Sequence, residues 1–376
     1  MSEADIFIVG GGPAGLAAAI VARSKGIRVT VADQARPPID KACGEGLMPD
    51  TVTALAGLGV GFAPGEAQAF RGIRFLTGAL GAVCVEAAFP DGAGLGVRRT
   101  ILHGKLAQRA VEMGATLKWG ARVTDEGAEA FCCDGQRVES RWIVGADGEG
   151  SRVRRCVAPG AARYERVRYG CRQHFQVRPW TDFVEVYWSR NCQAVVTPVG
   201  PEELGVAVTS RDPNIRLESA MHELPVLRQH LIGAGELSRA RGARCALRRL
   251  KAVQRGRFAL IGDASGSVDP LTGEGLGLAF RQAYALIDAL GANRPSEYVA
   301  AHERIGRVSR RLSRSLLWMD AQPWFRDRVL RAFAADPALF SRLLNTHIQA
   351  HAHASFGFVN AVRLGWRLVL SPAAEG

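Results

Sequence analysis

The stretch Gly10-Gly11-Gly12-Pro13-Ala14-Gly15 has the spacing G-x-G-x-x-G. Glycines at these intervals let a backbone approach a pyrophosphate. A helix opening behind them points free N–H groups and its positive dipole end at that charge. Asp33 stands 23 positions after Gly10, where a carboxylate can accept hydrogen bonds from a ribose. The pattern reads as a dinucleotide cradle and leaves the identity of the dinucleotide open. Two further constellations combine glycines with a carboxylate. One is Gly145-Ala146-Asp147-Gly148-Glu149-Gly150-Ser151-Arg152-Val153-Arg154. The other is Gly262-Asp263-Ala264, followed by Pro270-Leu271-Thr272-Gly273-Glu274-Gly275-Leu276-Gly277. In the last, Asp263 can hold sugar hydroxyls, and a helix N-terminus behind the loop would stabilise negative charge on a bound ring system.

These residues need elements that hold them. Residues 5–9 read as a buried strand, 16–25 as a helix stopped by Gly26, and 27–32 as a second strand, a β-α-β unit. The Asp147 turn follows a strand over 142–144, and Asp263 ends a buried strand over 257–262, with a helix over 276–290 behind the loop. Residues 37–50 read as loop, 50–57 as a short helix and 99–113 as a helix closed by Gly114. Residues 68–100 suggest strands and hairpins, 165–210 read as antiparallel strands, and the chain from Pro295 onward reads as helical. The fold class that follows is α/β. A Rossmann-type domain over 1–67, 97–160 and 246–300 is interleaved with an antiparallel β-sheet substrate domain over 68–96 and 161–245. A C-terminal helical region covers 301–376.

Composition sets the outer bounds. The chain has 376 residues, 47% hydrophobic and 22% charged, enough to bury the cores of two or three domains. That excludes disorder as the main state, and 43 glycines without a period exclude a collagen-like chain. No apolar stretch of about 18 residues is free of charge, so no spanning helix is expected. No basic region precedes the first apolar run, so no secretory signal is expected. The eight cysteines form no C-x-x-C pair, which takes away the main support for zinc and thioredoxin-like readings. Reduced thiols in the cytoplasm are expected. The net charge of +12 is spread over dispersed arginines with no nucleic-acid motif. It is expected to be a solvated basic surface rather than a nucleic-acid site.

In their order and spacing, the three glycine–carboxylate constellations resemble the FAD-binding fold of flavoprotein aromatic hydroxylases, which geranylgeranyl reductases share. The resemblance covers roughly residues 4–300. It implies FAD as cofactor, with Gly10, Gly12, Pro13, Ala14 and Gly15 at its pyrophosphate and Asp33 at the adenosine ribose. It further implies Val123 as a backbone contact to adenine, Asp263 at the ribityl chain, and Gly273, Gly275 and Leu276 at the flavin pyrimidine. Arg99, in Val97-Arg98-Arg99-x-x-Leu102-x-x-x-Leu106, matches the family's flavin-side arginine. The family often carries Glu where this chain has Asp33. NADH or NADPH is implied as an electron donor that binds transiently, since no second G-x-G-x-x-G follows a strand.

Two reactions share such a cradle. Reduced flavin can hydroxylate a phenolic or other aromatic small molecule through a C4a-hydroperoxide in a dry pocket. It can instead pass hydride to an alkene of an isoprenoid-like chain, with a nearby acid supplying the proton. Hydroxylation is the expectation and alkene reduction the alternative. The segment Lys41-Ala42-Cys43-Gly44-Glu45-Gly46-Leu47-Met48-Pro49 resembles the C-G-x-G loop of geranylgeranyl reductases, in which the cysteine lies near the flavin. Cys43 is thus a candidate proton donor or gate, set against a plain packing role. Of those enzymes' Y-x-W-x-F-P motif only the proline is matched, at Ala194-Val195-Val196-Thr197-Pro198. A halogenase is disfavoured, because W-x-W-x-I-P is missing and residues 68–83 hold no lysine. A period of two puts Arg172, His174 and Gln176 on one strand face and Phe183, Glu185 and Tyr187 on another. His174 and Tyr187 are the candidates to deprotonate or orient a phenol, whereas His103 reads as structural.

Arg304, Arg307, Arg311 and Arg314 recur at spacings of three and four and form one cationic helix face. An apolar run with Arg363 and Arg367 follows over 356–370. A solvated basic face above a packed helix is the plainer reading. The alternative is peripheral contact with the inner face of a membrane and a lipid-like substrate. His347, His351 and His353 cluster, but they are too few for a metal site. Nothing in the sequence indicates an oligomeric state.

Overall fold

The computed structural model describes residues 4–77, 83–127, 130–160 and 163–348, with residues 360 and 367 besides. The apolar runs Ile6–Val9 and Val29–Asp33 form adjacent parallel strands, with Ile6 opposite Val29. The helix between them spans Pro13–Ser24, three residues longer at its start than expected. Pro13 is the reason: its fixed φ suits a first helical turn, where its missing N–H removes no bond. Alanines 17, 18, 19 and 22 are fully buried, so the helix packs closely on the sheet core.

Among the described residues six strands share this sheet, in the order Gln254–Arg255, Phe258–Leu260, Trp142–Gly145, Ile6–Val9, Val29–Asp33, Thr116–Trp119. All neighbours run parallel except the Gln254–Arg255 hairpin. Central strands from three distant parts of the chain therefore end at one edge. The loops after Val9, Gly145 and Leu260 open side by side, at the carboxyl edge where ligands of such sheets bind.

A second sheet runs through Arg241–Arg249, Arg163–Gln176, Glu203–Ser210, Cys192–Gly200, Phe183–Trp188, Gly72–Thr77 and Cys84–Ala88. It is largely antiparallel, as expected, but Phe183–Trp188 pairs parallel with Gly72–Thr77. The two strands lie more than a hundred residues apart, so no hairpin dictates their direction. Both sheet faces are covered. Val184, Val186 and Trp188 pack with Leu316, Met319, Leu330 and Phe333 of the C-terminal helices. Tyr187, Ala194 and Val196 pack with Leu217, Leu224 and Leu227.

The helical tail breaks into Pro295–Ala321, Pro323–Ala335 and Pro337–Ile348. Each begins with a proline, which disfavours helical conformation in the residue before it. No described helix is long and apolar enough to cross a membrane. Among the described residues no group of His, Cys, Asp or Glu could hold a metal ion. His351, His353 and most of the apolar run over 356–370 lie outside the described residues.

Candidate active site

The three loops and the second sheet enclose a cavity of about 1060 Å³. At one end, Gly10 takes a φ of 110° and its amide donates to the Ala32 carbonyl at 2.8 Å. A side chain there would strike the Ala146 backbone at 2.5 Å. Gly12 caps the helix and faces open space, so nothing of the protein shields its backbone from a ligand. Gly15 does not line the cavity. Its role is packing, since a Cβ there would lie 2.0 Å from the Gly10 carbonyl oxygen. Asp33 lines the cavity and steadies the turn, accepting from the Gly11 amide at 2.7 Å and the Ala35 amide at 2.8 Å. His103 braces the same turn from behind. Its Nε2 donates to the Gly11 carbonyl at 2.9 Å and its Nδ1 accepts from the Ile39 amide at 3.3 Å. Burial lowers its pKa, in keeping with a neutral structural histidine.

The Asp147 turn is tied to the first and third loops. The Ala146 amide donates to the Val9 carbonyl, and Asp147 accepts from the Arg152 amide at 2.7 Å. Its second carboxylate oxygen is buried without a protein partner among the described residues, and burial raises its pKa. Arg154, buried, donates to the carbonyls of Gly148, Glu149, Asp263 and Ala264 and so staples this turn to the Asp263 loop. Arg152 reaches the Val123 carbonyl, and Val123 lines the cavity.

Asp263 pairs with Lys41 at 2.9 Å, and its side chain remains 42% accessible, into the cavity. Burial works against this carboxylate, but the Lys41 ammonium outweighs it and holds the pKa below the ordinary value. Lys41 is raised in turn, chiefly by Asp263. Gly273 (φ 67°) then leads into the helix Gly275–Gly291, and Gly273, Gly275 and Leu276 all line the cavity. Arg99 opens its own helix and lines the cavity too, and its Nε is buried without a partner among the described residues. Backbone open at Gly12, an orphaned carboxylate oxygen at Asp147 and an orphaned guanidinium nitrogen at Arg99 fit a dinucleotide carrying phosphates, sugars and a polar ring edge.

The other end of the cavity is apolar, walled by Ile73, Val184, Val186 and Val195 of the sheet and by Leu316, Met319 and Phe333 of the helices. Cys43 also lines it, its Sγ accepting from the Glu45 amide at 3.4 Å.

The structure keeps His174 and Tyr187 out of this wall, against expectation. Tyr187 is on the opposite sheet face, fully buried, its hydroxyl donating to Glu185 at 2.7 Å. Burial and the Glu185 carboxylate push that hydroxyl up and away from use as a base. His174 lies behind the 39–46 loop. Its Nε2 contacts the buried Glu45 carboxylate at 2.6 Å and its Nδ1 the Ser238 hydroxyl at 2.8 Å. Glu45 in turn accepts from the Arg99 amide at 2.8 Å and faces Arg172, which also pairs with Asp40. Tyr187 is on the face turned from the cavity, and a strand buried on both faces carries no alternation to tell one from the other. His174 shares the face of Val186 and Val195 through its register and is shut off by the 39–46 loop. Glu45, Lys41, Arg154 and Arg172 stand in quoted motifs or strand faces but had no assigned part. Their signal is charge inside glycine-rich or apolar segments, which must find a buried partner.

Residues 3–295 match a protein-family profile described as an FAD binding domain. A menaquinone reductase of Mycobacterium tuberculosis is 30% identical over 349 residues, 83% of each chain. The ubiquinone hydroxylase UbiL of Rhodospirillum rubrum is 28% identical over 332 residues, 77% of this chain and 72% of that one. In fold, a flavoprotein/dehydrogenase from Cytophaga hutchinsonii superposes with a TM-score of 0.78 at 16% identity, covering 98% and 99% of the two chains. The chain belongs to the FAD-binding-domain family, within the flavoprotein aromatic hydroxylase superfamily, and is an FAD-dependent oxidoreductase.

Proposed function

We propose that the protein is an NAD(P)H-dependent monooxygenase that hydroxylates an aromatic ring bearing an apolar tail. The observation behind this reading is the continuity of the cavity. It runs from the glycine cradle past Asp263 and Gly273 into a groove walled by Val184, Val186, Met319 and Phe333. Such a shape suits a ring held next to the flavin and a tail lying among aliphatic side chains. FAD, when bound and reduced, supplies hydride or activates oxygen. The protein's part is placement and exclusion of water, which the apolar wall favours.

In this reading Gly10, Gly12, Pro13 and Ala14 take the pyrophosphate, with Gly15 letting the turn close beneath them. Asp33 takes the ribose, and the Val123 backbone the adenine. Asp263 takes the ribityl chain, and Gly273, Gly275 and Leu276 the flavin pyrimidine, with Arg99 beside the ring. Residues 1–67, 97–160 and 246–300 then serve the cofactor, and 68–96 and 161–245 the substrate. NADH or NADPH binds only in passing. Two relatives that match most of the chain are named for quinones, one a hydroxylase, which supports this reading, and one a reductase.

A second reading, reduction of an alkene in the tail, is favoured by Cys43. Its thiol lines the cavity and could donate the proton that accompanies hydride addition. The test offers FAD-loaded enzyme a panel of phenols with alkyl or prenyl tails, using NADH and NADPH in turn. Substrate-stimulated oxygen uptake and a product heavier by one oxygen atom are expected. A product heavier by two hydrogens, formed without oxygen and lost in Cys43→Ser, would overturn hydroxylation in favour of the second reading.

A further inference from the structure

We infer that the corner between the helices Pro295–Ala321 and Pro323–Ala335 docks on an anionic lipid bilayer, setting the open end of the cavity against the membrane surface. Trp318 and Trp324 stand there 48% and 59% exposed, the largest side chains among the exposed hydrophobics of the described residues. Tryptophan is highly buried on average in folded proteins, so two in one corner mark a surface meant for contact. They are held in place rather than loose. Trp318 and Trp324 both pack on Phe325, with ring centroids 3.8 and 5.8 Å away. The Trp324 indole N–H donates to Gln322 at 3.2 Å. An indole ring with one polar edge suits the headgroup level of a bilayer.

The corner coincides with the mouth of the cavity. Arg311, Ser315 and Trp318 line the cavity and are also exposed, which marks where it opens. The same helix face carries Arg304, Arg307 and Arg311, three and four residues apart, all exposed. No ion pair with a carboxylate is seen for these three among the described residues. The acids of the two helices are engaged elsewhere: Glu297 with Arg294, Glu303 with Arg249 and Arg310, Asp320 with Arg211 and Gln193, and Asp327 with Arg326. A cationic ridge ending in two tryptophans complements anionic headgroups above an apolar layer. A second copy of this chain, itself strongly basic at +12, would meet the ridge with no such complement. The reading of the substrate as tailed explains why the mouth should face lipid. Docking itself rests on the corner alone and is measured without substrate.

The test is co-sedimentation of the FAD-loaded protein with phosphatidylcholine vesicles, with or without phosphatidylglycerol. Binding is expected only with phosphatidylglycerol, weakening as salt rises. Arg304→Glu with Arg307→Glu should weaken it about tenfold or more, and Trp324→Ala should weaken it further. The flavin spectrum of each variant shows whether it has folded. Failure to bind anionic vesicles, or equal binding by well-folded variants, overturns the inference. So does a dimer in solution that Trp324→Ala dissolves while vesicles capture nothing. None of these outcomes bears on whether the substrate is hydroxylated.

Discussion

The cradle end of the cavity is shaped by backbone, with Gly10, Gly12 and Gly262 where other residues would bring a side chain. The far end is shaped by side chains: strand valines facing helix residues that arrive more than a hundred positions later. The two ends are fastened differently. The cradle is pinned by short backbone hydrogen bonds and by Arg154 and His103 from behind. The 39–46 loop, which carries Cys43 into the cavity, is pinned by the buried cluster of Glu45, His174, Arg172 and Asp40. The difference teaches that charge at this site acts mainly as fastening, while the far wall of the cavity is aliphatic.

The largest expected effect tests that fastening. Glu45→Ala leaves the buried His174 and the Arg99 amide without their carboxylate and strips Arg172 of one of its two acidic neighbours, Asp40 remaining. Breaking a buried pair from one side costs about 3–5 kcal/mol, to be read from urea unfolding of the variant. Glu45→Gln keeps an acceptor for the Arg99 amide and should recover part of the loss. A loss below ~1 kcal/mol for the alanine variant would mean that the loop is held by something else. His174→Gln belongs to the same test. It should lower stability without removing a limb from the pH profile of kcat, and loss of a limb would restore His174 as a base.

Gly15→Ala comes next and addresses the cradle. The new methyl would meet the Gly10 carbonyl oxygen at 2.0 Å, a backbone atom that cannot swing away. Overpacking of this kind costs on the order of 1–3 kcal/mol. Here it should appear as loss of FAD from the purified protein, read from its absorbance. Full retention of FAD would show that the turn has more freedom than its packing suggests.

The smallest effect separates the two ends. Val186→Phe fills part of the groove with a larger ring. It should raise KM for a tailed substrate about tenfold, near 1.4 kcal/mol, and leave FAD content unchanged. Equal KM changes for tailed and tailless substrates would break the assignment of this groove to the tail.

The β-α-β unit, the three glycine–carboxylate loops and the helices at 99–113 and 276–290 were legible in the chain, because each depends on local rules. Glycine permits a close approach, a carboxylate ends a strand, and a helix stops at glycine or starts at proline. Cys43 was reached through the resemblance of its loop to the C-G-x-G loop of geranylgeranyl reductases, and it lines the cavity. The structure moved His174 and Tyr187, which looked chemical by residue type alone. The place of Tyr187 depends on which sheet face the C-terminal helices cover, and the strand Phe183–Trp188, buried along its whole length, carries no alternation to reveal it. His174 is on the cavity face, and the distant loop that carries Glu45 shuts it off.

By itself, then, the sequence determined the dinucleotide cradle: the glycines, Asp33, Asp263 and the order in which they arrive. Their constraints are backbone conformation and short-range spacing, which are written in consecutive residues. Only the tertiary structure decided that the three loops meet at one sheet edge, that Lys41 faces Asp263 across 222 positions, and that Glu45 meets His174 across 129. It alone decided that strand valines and late helices form one groove. Those pairings follow from burying charge against charge and aliphatic face against aliphatic face. The free energy of doing so depends on which distant segments meet, not on the order of residues along either one.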